Sequence, residues 1–592
     1  MNTCDSTDEN SWGSRRTYIT AMLSQTLGIH TILFLPHVAV HGGAAGHSIV
    51  IVLVYIVIGI PLLYMETVVG QFTGRDCLQV WDARACLSHV CYVHIFWQIL
   101  FIIYLHTVNS FVVHYFLISF ENPIPYYVCG RWSKNDCDIL NYNYSVNQDC
   151  LKLRDPLPYC SDLCHTFPEY QYWRFNILGL DKTYYYLPWR VGLASGLLAI
   201  AVYLSCFKGN RYLKWILPFV TIYPMAGRFL FMIGSMLQKG LVVKYEDALD
   251  SDFSVFTRQF SLSYTVSEVL YSLNVGTGIA FGCASRTSFR APCYANTVIV
   301  VVITCCVAIL GIWSTVMMTC PYAFKYEIKP GIVMRYPIAN IFEKLPRLIH
   351  VYESTSLWLI LCFSYIAVSG MSLSICIISG LIEIMAKRNF KIARNPGLVA
   401  FAVSMFLYIV TAPLLGNLSL YFLVDAKRTL NILTIFLVMI ENFVFVLWYG
   451  LEKFSEDVHF MQSVQPKASV KACWLISAVI LVYVFSTQLL GMYNQRNKTL
   501  GTFVGWYVLL AIMVPTVVLT IVKLLIGLYK NKLYDQVCLD STWGPKSEIL
   551  KRSRAMFTAQ AMTKEYMYRQ YHLQAGILMR QKRSNVRHCY RL

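Results

Sequence analysis

The stretch SLNVGTG, from Ser272 to Gly278, interrupts an apolar segment at 262–283 that is otherwise long enough to cross a membrane as a helix. A second apolar segment, 19–40, carries Gly28 and Pro36. Glycine and proline free backbone hydrogen-bonding groups, which a bilayer tolerates only inside protein or beside a wet cavity. We therefore expect both segments to be broken helices inside a membrane protein.

The composition agrees with a membrane protein. Of the 592 residues, 56% are hydrophobic and 14% are charged, and the mean hydropathy of +0.49 is too high for a soluble chain of this length. Apolar stretches of the roughly 20 residues that one membrane helix needs recur along the chain. We predict an all-α polytopic membrane protein of about 12 transmembrane helices, at 19–40, 48–70, 92–119, 188–206, 213–236, 262–283, 295–319, 356–386, 397–415, 430–450, 472–492 and 502–527.

The basic residues predict the orientation. The first ten residues are polar and acidic, unlike a secretory signal. Basic residues lie in alternate short loops, which the positive-inside rule places in the cytoplasm; they include Arg15, Arg16, Lys208, Arg211, Lys214, Arg286, Arg290, Lys387, Arg388, Lys391 and Arg394. Both termini are then cytoplasmic. The net charge of +18 indicates this topology and contact with anionic lipid rather than nucleic-acid binding.

The polar loop 121–186 is expected to be extracellular. Cys129 and Cys137 lie eight residues apart in it, close enough to form a disulfide in an oxidising compartment. Asn143 in this loop and Asn497 in the last predicted outer loop begin glycosylation sequons. Two sequons on the same side agree with one topology.

The positions of the two breaks point towards transport. They fall in the first and sixth spans, which occupy corresponding places in two successive sets of five helices. Inverted-repeat transporters use unwound segments at such places to bind solute and ions near the middle of the membrane. Close packing of small residues is the alternative explanation for each break.

Several motifs carry a resemblance to a known family. GIPLLYMETVVGQFTGRDCLQVW, from Gly59 to Trp81, and ENFVFVLWYGLEKFSEDV, from Glu441 to Val458, match most closely. The outer-loop cysteine pair, YWR at Tyr172–Arg174 and TWGP at Thr542–Pro545 continue a collinear series. The chain resembles the sodium-dependent neurotransmitter and amino-acid symporter family, as a divergent, orphan-like member.

The resemblance implies a leucine-transporter-type fold with two inverted five-helix repeats, broken helices 1 and 6, and two further helices. The expected division is a cytoplasmic N-terminus at 1–18, a first repeat at 19–236, a second repeat at 262–450, helices 11 and 12 at 472–527, and a basic cytoplasmic tail at 528–592. The tail either lies on the anionic inner leaflet or extends freely. Transport would proceed by alternating access.

The sodium positions of the family are only partly kept. The resemblance places sodium ligands at Thr31, Ser272, Thr304 and Ser372, all of which offer a hydroxyl oxygen. Thr31 and Thr304 stand where the family has asparagine. In the second sodium site the family's aspartate and serine correspond to Ser372 and Leu373, so we expect that site to be weakened.

The charged groups of the family are also only partly kept. The outer-gate arginine of the family corresponds to Phe34, so closure would need another contact. Glu66 and Glu441 belong to the shared pattern and are expected to be internal structural or gating partners.

Glu268 stands at the family's chloride-site glutamine, one helical turn before Ser272. The chloride-site tyrosine and serine correspond to Ile51 and Ala308. A fixed carboxylate would substitute for the anion and give chloride-independent behaviour. The alternative is that Glu268 lies at a hydrated helix end and has no role.

The same alignment places a solute pocket at Gly28, Tyr104, Asn274 and Gly276, with the family's pocket tyrosine falling at Tyr104 or Leu105. The aspartate of amine-transporting members is missing near Gly28, which favours an amino-acid-like solute. Asn274 would add a polar contact.

We therefore expect a plasma-membrane secondary transporter of a small amino-acid-like or amine solute, with weakened sodium coupling. The alternative is a transport-incompetent member that acts as a regulatory or binding protein. No enzyme motif is present, and no organic cofactor is expected. Sodium is the only metal ion expected, since His37 and His41 lack a third zinc ligand in register. Membrane lipid is an expected contact, and a homo-oligomer is left open.

Overall fold

The computed structural model describes residues 11–36, 39, 44–82, 84–134, 137, 167–182, 184–239, 261–325, 341–388, 394–494, 500–537 and 543–557. Asn143, Asn497, His37 and His41 lie outside the described residues. The described part of the chain contains helices and no strands. This confirms the predicted all-α class.

Ten helices are long and apolar enough to cross a membrane in the described ranges. The first and sixth predicted spans are broken into shorter pieces, and together with the ten they account for the twelve spans. In chain order they are α1 (Arg15–Thr26, then a π-helical turn His30–Phe34), α2 (Ala44–Thr73), α3 (Val90–Ile118), α4 (Trp189–Cys206), α5 (Asn210–Met236), α6 (Ser261–Leu273 and Ile279–Ser285), α7 (Cys293–Lys325), α8 (Thr355–Arg388), α9 (Pro396–Thr411), α10 (Ser419–Asn442, then a π-helical turn Phe443–Trp448), α11 (Ala468–Tyr493) and α12 (Leu500–Tyr529). The further division into two repeats stays a prediction.

Two predicted boundaries differ from the structure. α10 begins at Ser419 and not at residue 430, because Lys427 remains inside the bundle beside a carboxylate instead of marking a membrane edge. The break in α1 falls at 27–29, whereas Pro36 is helical. A proline has no N–H to leave unpaired, and a wider π-helical turn precedes it.

The broken helices occupy the interior. The first part of α1 contacts both parts of α6, and also α5, α7 and α8. In the most apolar 18-residue window of α10, 78% of residues are buried within the protein, against 11% in α12. Central helices therefore surround the breaks, while α12 lies at the outside of the bundle with its apolar side chains exposed.

The bundle has two distinct ends. At one end, which we call the loop face, the chain after α3 packs on a short helix, Ile341–Ile349; the Tyr127 hydroxyl donates to the Pro346 carbonyl at 2.6 Å. Cys129 and Cys137 form a disulfide there. At the other end, the terminal face, the helix Glu548–Ala555 docks through Arg554, whose Nε lies 2.6 Å from Asp457 Oδ1.

Candidate functional site at the broken helices

Positive φ angles produce the break in α6. Asn274, Gly276 and Gly278 have φ of 52°, 78° and 76°. The freed N–H of Gly276 donates to Glu66 Oε1 of α2. A Cβ at Gly276 would lie 2.3 Å from Val438 Cγ2, so only glycine fits this conformation beside α10.

Glu66 is part of a buried carboxylate pair. Its carboxyl lies close to that of Glu441 of α10, and Glu441 Oε1 lies 3.6 Å from His94 Nε2 of α3. This arrangement satisfies the unwound backbone and fits the predicted internal role of both residues.

The break in α1 lies against α8 and α6. The Ser369 hydroxyl donates to the Leu27 carbonyl at 2.9 Å, and Asn274 Nδ2 donates to the Gln25 carbonyl at 2.5 Å. Each freed carbonyl of α1 thus receives a side-chain donor. Gln25 Oε1 and Asn274 Oδ1 are buried and find no hydrogen-bond donor among the described residues.

Three of the four predicted sodium residues lie around these breaks. Thr31 Oγ1 lies 2.6 Å from the Thr26 carbonyl and 3.5 Å from the Ser272 carbonyl. The hydroxyl of Thr26 lies 2.8 Å from that of Thr304. The Ser272 hydroxyl lies 2.7 Å from the hydroxyl of Tyr55. These neutral oxygens suit a hard cation such as sodium, and the donor set lacks a carboxylate.

The fourth predicted residue lies elsewhere. Ser372 Oγ donates to the Ser24 carbonyl at 3.2 Å, one turn before the break. Leu373 beside it fills the space at Gly28, where a Cβ would lie 2.7 Å from Leu373 Cδ2. Hydrocarbon therefore occupies the position at which the resemblance placed the second sodium site.

The predicted pocket residues separate into two places. Gly28 and Asn274 lie at the breaks, and Gly276 is covered by Glu66 and Val438. Tyr104 is buried and faces α10, with its ring 6.3 Å from that of Phe422. Leu105 is buried as well.

Glu268 is fully buried, so the alternative that placed it at a hydrated helix end is wrong. Its carboxylate lies 2.9 Å from His30 Nε2 of α1 and 3.1 Å from Lys427 Nζ of α10. Asn431 Nδ2, one turn further along α10, donates to it at 3.3 Å. We call these four residues the Glu268 cluster.

Phe34 stands where the family has the outer-gate arginine and cannot form an ion pair. Lys427 of the Glu268 cluster contacts its ring instead. Lys427 Nζ lies 5.3 Å from the centre of the Phe34 ring, a cation–π distance. His30 and Lys427 were missed by sequence reasoning. The available signal was the pair Lys427 and Asn431 at i, i+4, which places two polar groups on one face of α10.

A second charged layer lies at the terminal face. Arg286, just after α6, forms an ion pair with Glu383 of α8 and lies 5.1 Å from the Trp12 ring. Trp12 Nε1 donates to the Cys283 carbonyl at 2.8 Å. Arg15 Nε, in the first turn of α1, donates to Asn296 Oδ1 at 2.7 Å. A cavity lies under Trp12, between α6 and α8.

Comparison with known proteins agrees with this architecture. The model of the "Sodium:neurotransmitter symporter family" matches residues 9–527. The chain is 21% identical over 500 residues to the sodium- and chloride-dependent glycine transporter 1 of Xenopus laevis, covering 81% of this chain and 78% of that protein. It is 19% identical over 586 residues to the human sodium- and chloride-dependent neutral and basic amino acid transporter B(0+), covering 91% and 90%.

The family match spans nearly the whole chain and includes both broken helices and the motifs that carried the resemblance, except TWGP, which lies beyond residue 527. The predicted relationship is therefore confirmed, and the chain belongs to the sodium:neurotransmitter symporter family.

Proposed function

We propose that this protein is a secondary active transporter that couples a small amino-acid-like solute to sodium at the plasma membrane. Members of its family are membrane transporters rather than enzymes. The observation that carries the proposal is the pairing of two broken helices whose buried oxygens Gln25 Oε1 and Asn274 Oδ1 find no donor in the described part of the chain. A bound cation or a solute ammonium would satisfy such oxygens.

Sodium coupling in this proposal uses one site. Thr31, Ser272 and Thr304, with Thr26 added by the geometry, would hold the ion between α1, α6 and α7. At the other position Leu373 places hydrocarbon at Gly28, where the family has a serine hydroxyl. The expected stoichiometry is one sodium ion per solute.

The solute would bind at the breaks, where Gly28 and Asn274 lie, with Tyr104 further towards α10. The sequence around Gly28 lacks the aspartate of amine-transporting members, which favours an amino-acid-like solute over a simple amine, and the names of both relatives refer to amino acids. The loop face would be extracellular and both termini cytoplasmic. Glu268 would make the protein independent of chloride.

Uptake of radiolabelled amino acids and amines into proteoliposomes of purified protein tests the proposal. We expect accumulation that falls when choline replaces sodium and that does not change when gluconate replaces chloride. Thr304→Val should weaken sodium activation, whereas Thr411→Val, which removes a buried hydroxyl that bonds within α9, should not.

The packing of Leu373 on Gly28 and of Val438 on Gly276 supports a second candidate, a non-transporting regulatory or binding protein. Correctly oriented, folded protein that accumulates no solute of the panel would favour this candidate over the transporter.

A further inference from the structure

Two cysteines meet where the second part of α6 packs on α8. Cys283 belongs to the segment Ile279–Ser285, and Cys376 lies inside α8. Their thiols lie close to each other, and both residues are only 5% exposed. Neither cysteine is part of a disulfide in this structure. A bond between their sulfurs would join two helices that are far apart in the sequence.

The cavity under Trp12 gives both thiols a space that a small oxidant can enter. Its volume is about 30 Å³, whereas one water molecule needs roughly 10–15 Å³. Cys283 and Cys376 both line it, together with the polar side chains of Glu383 and Lys387. These side chains can hydrogen-bond a small polar molecule. Hydrogen peroxide is only slightly larger than water and has the same kinds of donor and acceptor.

A third cysteine lines the same cavity but has a different neighbour. Cys77 contributes to the wall, and its sulfur lies 4.0 Å from Gln98 Nε2 of α3. The Cys77 side chain also packs at Gly278, in the break of α6. Cys77 is therefore exposed to the same cavity without lying in the contact between the second part of α6 and α8. It separates the effect of access to an oxidant from the effect of a neighbouring thiol.

We propose that Cys283 and Cys376 are a redox modification site whose oxidant is hydrogen peroxide and whose product is a reversible disulfide between α6 and α8. One sulfur attacks a peroxide oxygen, the O–O bond breaks, and one water leaves, so that a sulfenic acid remains. The second sulfur attacks this sulfenyl sulfur, the S–O bond breaks, and a second water leaves with the last thiol proton. The two sulfurs supply the two electrons that reduce the peroxide.

The disulfide holds the terminal face closed. Cys283 lies three residues before Arg286, whose ion pair with Glu383 already ties α6 to α8. An ion pair can break and form again in each cycle, whereas a disulfide breaks only when another thiol reduces it. The terminal face is cytoplasmic in the proposed orientation, and cytosolic disulfides are mostly transient and redox-sensing. Only this effect on the cycle rests on the proposed function, since the disulfide itself needs no transport.

Mass spectrometry of the purified full-length protein tests the site directly. The protein is treated with hydrogen peroxide, the excess is removed with catalase, free thiols are alkylated, and the chain is digested without reduction. We expect a peptide pair joined through Cys283 and Cys376, lighter by two hydrogen atoms than the reduced peptides and absent after dithiothreitol. The melting temperature should rise on oxidation and fall back on reduction, because the cross-link restricts the unfolded chain.

Three serine variants show whether this pair is responsible. Cys283→Ser and Cys376→Ser each leave one thiol of the pair, so both should lose the cross-link and the rise in melting temperature. Cys77→Ser removes the other cavity thiol and should keep both. Alkylation of Cys283 and Cys376 that is unchanged after peroxide treatment would overturn the proposal. A cross-link from either residue to Cys77, or from Cys376 to Cys206 of α4, would overturn it as well.

The same samples keep this inference separate from the proposed function. Cross-linked protein that accumulates no solute in proteoliposomes after reduction would support the redox site and count against transport alone. Protein that transports but forms no cross-link would overturn the redox site alone. If both hold, peroxide should lower the rate of uptake, dithiothreitol should restore it, and Cys376→Ser should be insensitive to both reagents.

Discussion

Gly276 shows how one residue fixes the break in α6. Its φ of 78° and the contact that any Cβ would make with Val438 leave glycine as the only residue without strain. The sequence indicated this position, because SLNVGTG is conspicuous inside an apolar segment. The partner Glu66 was recognised as important but its bond to Gly276 was not, since the two residues are 210 positions apart.

Gly276→Ala should lower thermal stability in detergent by the equivalent of roughly 2 kcal/mol or more, from left-handed backbone strain and the clash with α10. Gly282→Ala in the second part of α6 is the matched control, because a Cβ there meets nothing within 4 Å. Equal melting temperatures for the two variants would contradict the assigned geometry.

Glu343 gives a pH prediction at the loop face, outside the membrane helices. Burial raises the pKa of its carboxyl to about 7, although Arg174 and Arg347 oppose the shift. An acid whose pKa is higher in the folded than in the unfolded protein binds more protons when folded, so stability falls as the pH rises from about 4.5 to 7. Ionisation of Glu343 should therefore lower the free energy of unfolding by up to about 3 kcal/mol at pH 8 relative to pH 4.5.

The measurement is the melting temperature of the parent and of Glu343→Gln between pH 5 and pH 8. The glutamine variant should lose less stability over this range. Glu353→Gln, which removes an exposed carboxyl near the same end of the bundle, should follow the parent. Parallel curves for all three proteins would show that Glu343 does not titrate in this window.

At the scale of elements, the sequence predicted which helices are broken but not how their partners complete them. Apolar runs and glycines are local signals, so α1 and α6 were found. The start of α10 was missed because Lys427 looks like a membrane edge until Glu268, 159 residues away, is placed beside it. The role of His30 was missed because its partner Glu268 is also distant in the sequence.

Leu373 of α8 packs on Gly28 at the break in α1, which explains the expected weakness of the second sodium site. Two substitutions should restore sodium ligands at this position. Ser372→Asp combined with Leu373→Ser replaces hydrocarbon at Gly28 by a carboxylate and a hydroxyl, which are ligands that sodium prefers. Replacing potassium by sodium should raise the melting temperature of the double variant by more than it raises that of the parent. A response no larger than that of the parent would mean that the backbone at 27–29 cannot contribute ligands.

At the scale of the whole molecule, two charged layers close the bundle on opposite sides of the breaks. The Glu268 cluster ties α1, α6 and α10 together towards the loop face, and Arg286 with Glu383 ties α6 to α8 towards the terminal face. Trp12 covers the second layer and the cavity beneath it. In the described part of the chain both sides are therefore closed, as the proposed alternating-access cycle requires of its occluded state.

Removal of one layer should open only its own side. Arg286→Gln removes the ion pair that ties α6 to Glu383 of α8 and leaves Trp12 without its cation, so the terminal face should open more often. Among the described residues, Glu383 then keeps only Lys387 of its own helix, 3.5 Å away. Cys376, which is buried and lines the cavity under Trp12, should then react faster with a thiol reagent supplied from the terminal side. Lys471→Gln, which breaks an ion pair with the exposed Glu452, is the control and should leave that rate unchanged.

Because opening of one side in an alternating-access protein disfavours opening of the other, Arg286→Gln should also slow labelling of Tyr104→Cys, at a residue buried beside α10, from the loop face. Faster labelling on both sides would instead indicate general loosening of the bundle, and the two layers would then not act as alternating closures.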